Sequence, residues 1–303
     1  MGFLFAFLSY FLWGIFPLYW KLLITVNALH ILAFRILFSL VFVGFLLLLQ
    51  KNTAWLNAFR DPKKALILIP AALLICCNWG MYIWAVNSGH TLQASLGYYI
   101  NPLFSILLGL VFFRERLSPL QWAAVIIAFA GVLLLTLLSG KAPWISLLLA
   151  LTFGLYGLLK KKLSLSALES LGAETLASAP IGILLLLFSF GDPHNESGAG
   201  NLVFSGMQGL DYLFALPLRI WLPLALCGIV TATPLYFFAK GAKLLPLSAL
   251  GFTQFISPTL QFLLGLLVFG EAFPPHHFAA FGLIWTAAIL YILSLKRETS
   301  EVD

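Results

Sequence analysis

The sequence predicts an all-α integral membrane protein with ten transmembrane helices, arranged as two inverted five-helix repeats. The first observation behind this prediction is composition: 61% of the 303 residues are hydrophobic and 9% are charged, with a mean hydropathy of +1.01. Soluble globular domains carry about 25% charged residues. So little polar surface excludes an ordinary soluble protein. The Lys and Arg residues that give the net charge of +6 are explained by their biased distribution between the two sides of the spans.

The second observation is ten apolar segments of spanning length, because a bilayer core of roughly 30 Å requires about 20 helical residues. The predicted spans are 3–23, 28–49, 65–87, 91–113, 118–138, 144–160, 167–190, 220–240, 247–269 and 277–295. Links as short as Ser88-Gly89-His90 predict antiparallel neighbours. The first segment lacks a basic leader and is too long for a signal peptide, so we interpret it as a helix.

The third observation is an internal match, in which residues 102–134 align on residues 258–290 without a gap. The alignment keeps a proline, a glycine, a glutamate and a second proline in register. Each half therefore holds five helices, in predicted domains 1–140 and 141–303. Because five is odd, the second half runs through the membrane in the opposite direction, a pattern typical of secondary transporters.

The loop charges predict the orientation. Thirteen Lys and Arg residues fall on one side of the ten spans and three on the other, so the richer side and both termini are expected in the cytoplasm. The richer side carries Lys51, Arg60, Lys63, Lys64, Arg114, Arg116, Lys160, Lys161, Lys162, Lys240, Lys243, Lys296 and Arg297. Lys160 to Lys162 are interpreted as a stop signal, and Glu115 and Glu271 as helix caps or partners of nearby arginines.

Arg35 is a permanent charge inside the second span, in the stretch "HILAFRILFS" (30–39). Such a charge costs about 2.5–3.5 kcal/mol on insertion scales, so it is expected to face a cavity or a partner. The repeat aligns Arg35 with Glu174 and Ser39 with Ser178. The heights of the two charges are expected to differ by about 10 Å. One interpretation is that Arg35 and Glu174 form an ion pair or line a shared polar cavity. The alternative is that each charge only fixes helix packing.

Pro102 and Pro258 lie at the centres of the fourth and ninth spans. A proline inside a helix removes one hydrogen bond, which would free the carbonyl groups of Tyr98 and Gln254 to line a cavity. Asn101 adds a polar side chain beside the first proline. Matched prolines with adjoining polar residues favour the cavity, and simple kinks are the alternative.

Trp13 and Trp79 are tryptophans deep inside apolar spans, and Asn78 adds an amide beside the second. Their rings could stack on a planar or cationic ligand, with ordinary packing as the alternative. Aromatic residues nearer span ends are expected at the membrane interface. These are Tyr19, Trp20, Trp144 and Trp221.

No enzyme constellation appears in the sequence: there is no HExxH motif, Walker loop or triad with plausible spacing. No cofactor, nucleotide or metal site is expected. The three cysteines are odd in number and lie in apolar runs, which argues against a disulfide framework.

These segments resemble the RarD group of EamA-type transporters, in the drug/metabolite transporter superfamily. The most specific pieces are "NWGMYIWAVNSGHTLQASLGYYINPL" (78–103), "YGLLKKK" (156–162), "GIVTATPL" (228–235) and "LGFTQFISPTLQFLLG" (250–265). The resemblance implies two EamA repeats, cytoplasmic termini and small-molecule transport through a central cavity. The sequence departs from the group at His30, usually glutamate, and at Phe34, usually histidine, which weakens any proton relay through those positions.

The predicted function is secondary transport, with export favoured, of small amphipathic metabolites or drugs by alternating access in a bacterial inner membrane. The predicted substrate and coupling residues are Arg35, Glu174, Trp13, Asn78, Trp79, Tyr98, Asn101 and Gln254. The partners are a small-molecule substrate and the lipid bilayer; proton coupling and uniport both stay open, and no nucleic acid is expected. The alternative is a lipid flippase, which needs an apolar lateral opening, or a non-transporting scaffold, which needs no polar cavity.

Overall fold

A computed structural model describes residues 1–23, 25–87, 91–139, 143–187, 216–270 and 277–300. Its elements are helices joined by short links. They are α1 (Gly2–Trp20), continued by a 3-10 turn (Lys21–Leu23), α2 (Ala28–Leu49), α3 (Ala54–Asn57), α4 (Pro62–Asn87), α5 (Thr91–Phe113), α6 (Pro119–Ser139), α7 (Trp144–Lys162), α8 (Ala167–Leu187), α9 (Leu218–Leu244), α10 (Leu247–Gln254), α11 (Ile256–Leu267) and α12 (His277–Ser300).

Ten segments are long and apolar enough to cross a membrane, which confirms the predicted fold class. In a lipid core every backbone N–H and C=O must be satisfied within the chain, and a helix achieves this by itself. Three spans differ clearly from the prediction. The eighth continues four residues beyond 240, to Leu244, and the helix of the tenth continues five residues beyond 295, to Ser300. The ninth has a one-residue turn at Phe255 between α10 and α11.

Two compact units make up the described chain. The first contains Met1–Ile15, Trp84–Lys161 and Phe237–Asp303, and therefore α5, α6, α7, α10, α11 and α12. The second contains Phe16–Ile83 and Lys162–Tyr236, and therefore α2, α3, α4, α8 and most of α9. Each unit thus takes helices from both halves of the sequence.

The most extensively packed helix pairs join equivalent members of the sequence repeat. Within the second unit α2 packs on α8, the second span on the seventh. Within the first unit α5 packs on α10 and α6 on α12, the fourth and fifth spans on the ninth and tenth. Small residues permit these approaches, as at Gly131, where an added Cβ would lie 3.0 Å from the Ala280 carbonyl oxygen. Pairing of equivalents is what an inverted repeat predicts.

Side-chain caps hold the helix starts. The Asn27 side chain accepts a hydrogen bond from the Leu29 N–H at 2.9 Å at the start of α2. At the start of α8, Ser166 and Glu169 form a reciprocal capping box. The Asn52 side chain also donates to Glu169 at 2.8 Å, which joins the end of α2 to the start of α8.

The link between α9 and α10 is held by two charged side chains. The Glu115 carboxylate accepts from the backbone N–H groups of Leu247 at 2.5 Å and Ser248 at 2.9 Å, so it caps α10 from the link between α5 and α6. The Lys161 ammonium donates to the Leu245 carbonyl on the other side of the link. The prediction of a cap is therefore confirmed for Glu115, whereas Glu271 lies outside the described residues.

Replacing Glu115 with alanine should lower the free energy of unfolding by about 1–2 kcal/mol, because two N–H groups at a helix start lose a charged acceptor. Glutamine keeps an acceptor and should cost less. The measurement is the thermal midpoint of each purified variant in one detergent. Gly109→Ala tests the same cap by displacing the Glu115 carboxylate, because the added Cβ would lie 2.6 Å from one of its oxygens. Wild-type midpoints for Glu115→Ala and Gly109→Ala would contradict the cap.

Candidate functional site

Arg35 lies on α2 in the second unit, with its guanidinium between two indole rings. Its Cζ is 4.2 Å from the centre of the Trp79 ring and 4.9 Å from that of Trp20. Its Nε donates a hydrogen bond to the Thr231 hydroxyl oxygen at 3.1 Å. Cation–π contacts contribute about 0.5–1 kcal/mol when exposed and 2 or more when desolvated, so the cation is held by its surroundings.

A close approach of α9 to α2 positions Thr231. The backbone at Gly228 passes so near α2 that an added Cβ would lie 2.3 Å from the Phe38 carbonyl carbon and oxygen. The Ser39 hydroxyl donates to the Gly228 carbonyl at 3.2 Å. A turn later on α9, the Thr231 hydroxyl meets the Arg35 guanidinium.

Glu174 lies buried on α8, which is antiparallel to α2. An added Cβ at Gly182 would meet Ile36 and Leu37, and one at Gly172 would meet Val43 and Leu47. This register places Glu174 roughly level with Val43, so its backbone is about 12 Å from that of Arg35 along the helix axis.

Cys76 on α4 lies near Arg35, Glu174 and Ser178. The Ser178 hydroxyl donates to the Glu174 carbonyl at 2.8 Å. Cys76 packs with Leu32 and Ile36 of α2 in a small apolar cluster. Asn78, two residues further along α4, is buried beside Trp79. The second unit thus brings together Arg35, Glu174, Asn78 and Trp79 of the predicted site.

Two contributors to the Arg35 setting were not predicted. Trp20 was expected at the membrane interface, but its ring covers the guanidinium. Thr231 was not a candidate, and its signal was only its place in the "GIVTATPL" piece. His30 and Phe34, where the sequence leaves its group's pattern, are both buried. Phe34 packs against Phe38 and Trp221, so it continues the apolar core.

The first unit contains the remaining predicted residues. Trp13 belongs to an aromatic cluster, with ring centres 5.6 Å from Tyr10 and Phe238 and 5.7 Å from Phe153. Its carbonyl accepts from the Gln261 side chain at 3.1 Å. The Trp13 ring is therefore held by aromatic packing, and its backbone carbonyl by a hydrogen bond. Tyr98 is half-buried on α5, next to the buried Tyr99.

The two matched prolines behave differently. Pro102 lies inside α5, which runs unbroken through it, whereas the ninth span is interrupted at Phe255, three residues before Pro258. Whether the carbonyl groups of Tyr98 and Gln254 line a cavity stays a prediction, with simple kinks as the alternative. The Tyr99 hydroxyl donates to the Pro258 carbonyl at 3.1 Å, and an added Cβ at Gly251 would lie 2.7 Å from the Pro102 carbonyl oxygen. The repeat thus places one continuous and one broken helix against each other.

A groove of about 660 Å³ lies in the second unit between the end of α1 and the start of α9. Arg219 is the charged residue in its wall, and the remaining walls are largely apolar. None of the predicted site residues lines it. The other lining residues are Leu22, Thr25, Leu216, Pro217, Ile220 and Pro223.

Comparison with known proteins places the chain among membrane transporters. Residues 1–137 match the EamA-like transporter family. The chain is 43% identical to the protein RarD of Streptomyces exfoliatus, over 95% of this chain and 87% of that protein. It is also 43% identical to an uncharacterized transporter, YojE, of Bacillus subtilis, over 97% of this chain and 94% of that protein. A crystal structure with 20% identity superposes at a TM-score of 0.69, covers 96% of this chain and 97% of its own length, and supports the fold.

Proposed function

The chain belongs to the EamA-like transporter family and to its RarD group, and on that premise we propose that it moves small amphipathic metabolites by alternating access. Family membership makes it a multi-pass inner-membrane transporter and not an enzyme. Its partners are accordingly a small-molecule substrate and the lipid bilayer. The charge bias of the loops supports cytoplasmic termini, and we favour export as the direction.

The observation that carries the proposal is the Arg35 setting. A cation inside an apolar span is costly unless it serves a site, and this one is oriented by two indole rings and a hydroxyl. Flat aromatic walls around a guanidinium suit a ligand that combines an apolar body with an anionic or strongly polar group. Asn78 and Glu174 supply further polar groups in the same unit.

The direct test is a comparison of metabolites in medium and cytosol. Cells that overproduce the chain are compared with cells that lack it, and the metabolites that change are then measured as radiolabelled uptake into proteoliposomes. We expect at least one amphipathic metabolite to move against the empty-liposome baseline. A scaffold would leave both metabolite pools and the vesicle uptake unchanged, and that result would overturn transport.

Proton coupling through Glu174 is tested by Glu174→Gln, which keeps the size of the side chain and cannot release a proton. We expect the variant to lose uptake driven by a pH gradient while it retains exchange of substrate across the membrane. Glu169→Gln is the matched control, because Glu169 lies on the same helix but caps its start. Wild-type uptake that does not depend on the pH gradient would support uniport instead. Equal gradient dependence in wild type and Glu174→Gln would place proton coupling at another residue.

The groove beside Arg219 favours lipid movement as a second candidate function. A largely apolar groove with one cation in its wall could take an acyl chain and a phosphate. Arg219→Ala should then stop the movement of a fluorescent phospholipid between leaflets of a proteoliposome. If Arg219→Ala has no effect on lipid movement while Arg35→Ala stops metabolite uptake, the flippase is excluded.

A further inference from the structure

The crossing of α5 and α10 in the first unit contains two buried oxygen atoms with no hydrogen-bond donor among the described residues. They are Oδ1 of Asn101, whose residue is 1% exposed, and Oε1 of Gln254, whose residue is 4% exposed. More than nine in ten buried polar groups in folded proteins are paired, so each exception requires an explanation. Leaving one such acceptor without a donor costs about 1–3 kcal/mol.

The helix register brings these two residues to the same level. The Tyr99 hydroxyl meets the Pro258 carbonyl on one side of them, and Gly251 meets the Pro102 carbonyl on the other. Asn101 lies between Tyr99 and Pro102 along α5, and Gln254 lies between Gly251 and Pro258 along the ninth span. Two acceptors without donors therefore occur at one crossing, between two points of backbone contact.

Pro258 removes one backbone donor from this place. It has no N–H group to bind the Gln254 backbone carbonyl, which the residue four positions later would satisfy in a regular helix. In membrane transporters, backbone carbonyls freed in interrupted helices bind small cations.

We propose that this crossing is a binding site for a small cation, with the side-chain oxygens of Asn101 and Gln254 as ligands. Neutral carbonyl oxygens are the donors that a hard monovalent cation prefers, and they also accept from an ammonium group. The occupant is accordingly Na⁺ or the ammonium group of a transported amine. The site lies on elements other than those that hold Arg35, so it adds a second ligand position to the proposed function.

The test measures the thermal midpoint of the purified full-length protein by tryptophan fluorescence. Four salts are compared at equal ionic strength: the chlorides of Na⁺, K⁺, methylammonium and N-methyl-D-glucamine. Relative to the last, we expect Na⁺ or methylammonium to raise the midpoint by roughly 2–4 °C in a saturable manner. A shift with Na⁺ alone identifies a metal-ion site, and one with methylammonium alone identifies an amine site. Identical midpoints in all four salts would overturn the proposal.

Substitutions then locate the site. Asn101→Leu and Gln254→Met remove one oxygen each at similar volume, and each should abolish the shift. Gln121→Met is the matched control: Gln121 is also a buried glutamine of the first unit, but its oxygen accepts from the Ser118 N–H at 2.9 Å, so the shift should persist. A shift that survives both Asn101→Leu and Gln254→Met would place the cation elsewhere and contradict our assignment.

Radioactive ²²Na⁺ or ¹⁴C-methylammonium binding to the wild-type protein provides a measurement that depends on no variant folding. Cation binding without metabolite transport would support the cation site and contradict the proposal of metabolite transport. Metabolite transport without cation binding would support transport and contradict the cation site.

Discussion

Replacing Arg35 with alanine should reduce metabolite uptake into proteoliposomes by roughly 30-fold, because the site loses the cation proposed to bind the anionic or polar group of the substrate, an interaction of about 2 kcal/mol. The protein should remain folded, since the charge is costly in the apolar span and its removal leaves Trp20, Trp79 and Thr231 in place. The measurement is the initial uptake rate of the metabolite found by the comparison of medium and cytosol.

Two further variants separate charge from shape. Arg35→Lys keeps the charge but loses the flat guanidinium that lies against both rings, so it should fall between wild type and alanine. Thr231→Val removes only the acceptor of the Nε hydrogen bond, which is worth about 1–2 kcal/mol. It should therefore reduce the uptake rate less than Arg35→Ala does. Normal uptake by both Arg35→Ala and Glu174→Gln would show that this charge pair serves helix packing alone.

Gly228→Ala should cause the second large effect, a loss of about 3 kcal/mol or more in the free energy of unfolding. The added methyl group would lie 2.3 Å from backbone atoms of Phe38, and a backbone cannot rotate away as a flexible side chain can. Helices α2 and α9 must therefore separate, which also moves Thr231 from Arg35. The measurement is the thermal midpoint and the yield of monodisperse protein in detergent.

Gly44→Ala is the matched control, because Gly44 is on α2 with nothing within 4 Å of its added Cβ. It should be neutral or slightly stabilising, since alanine favours a helix by up to about 1 kcal/mol over glycine. Equal stability of Gly228→Ala and Gly44→Ala would contradict the close approach of α9 to α2.

The ten spans could be predicted because hydropathy and length determine what a bilayer accepts. The eighth was predicted too short because the segment ended at Lys240. In the structure the Lys240 ammonium lies 4.9 Å from the Phe5 ring centre and α9 continues past it. Lys160, interpreted as part of a solvated stop signal, is instead buried near Tyr156. Long lysine stems pack along apolar surface, so a lysine is a poor marker of a helix end.

The charged residues of the candidate site could be predicted from the sequence, whereas the residues that contact the Arg35 guanidinium could be predicted only in part. A lone arginine in an apolar span is conspicuous, and the repeat leads from it to Glu174. Trp20 and Thr231 were missed because hydropathy carries no information about which face of a spanning helix meets another helix and which meets lipid. The turn at Phe255 in the ninth span was missed because the matched prolines Pro102 and Pro258 gave no sign that their two helices differ. In the structure α5 is continuous through Pro102, whereas α10 and α11 are separated at Phe255.

The pairing of repeat equivalents has a consequence for biosynthesis. The second span packs on the seventh, the fourth on the ninth and the fifth on the tenth, and the later member of each pair emerges from the ribosome long after the earlier one. The first five helices must therefore enter the bilayer before the later helices against which they pack, and those contact faces are uncovered until then. Native packing is completed only after the second half of the chain has been inserted.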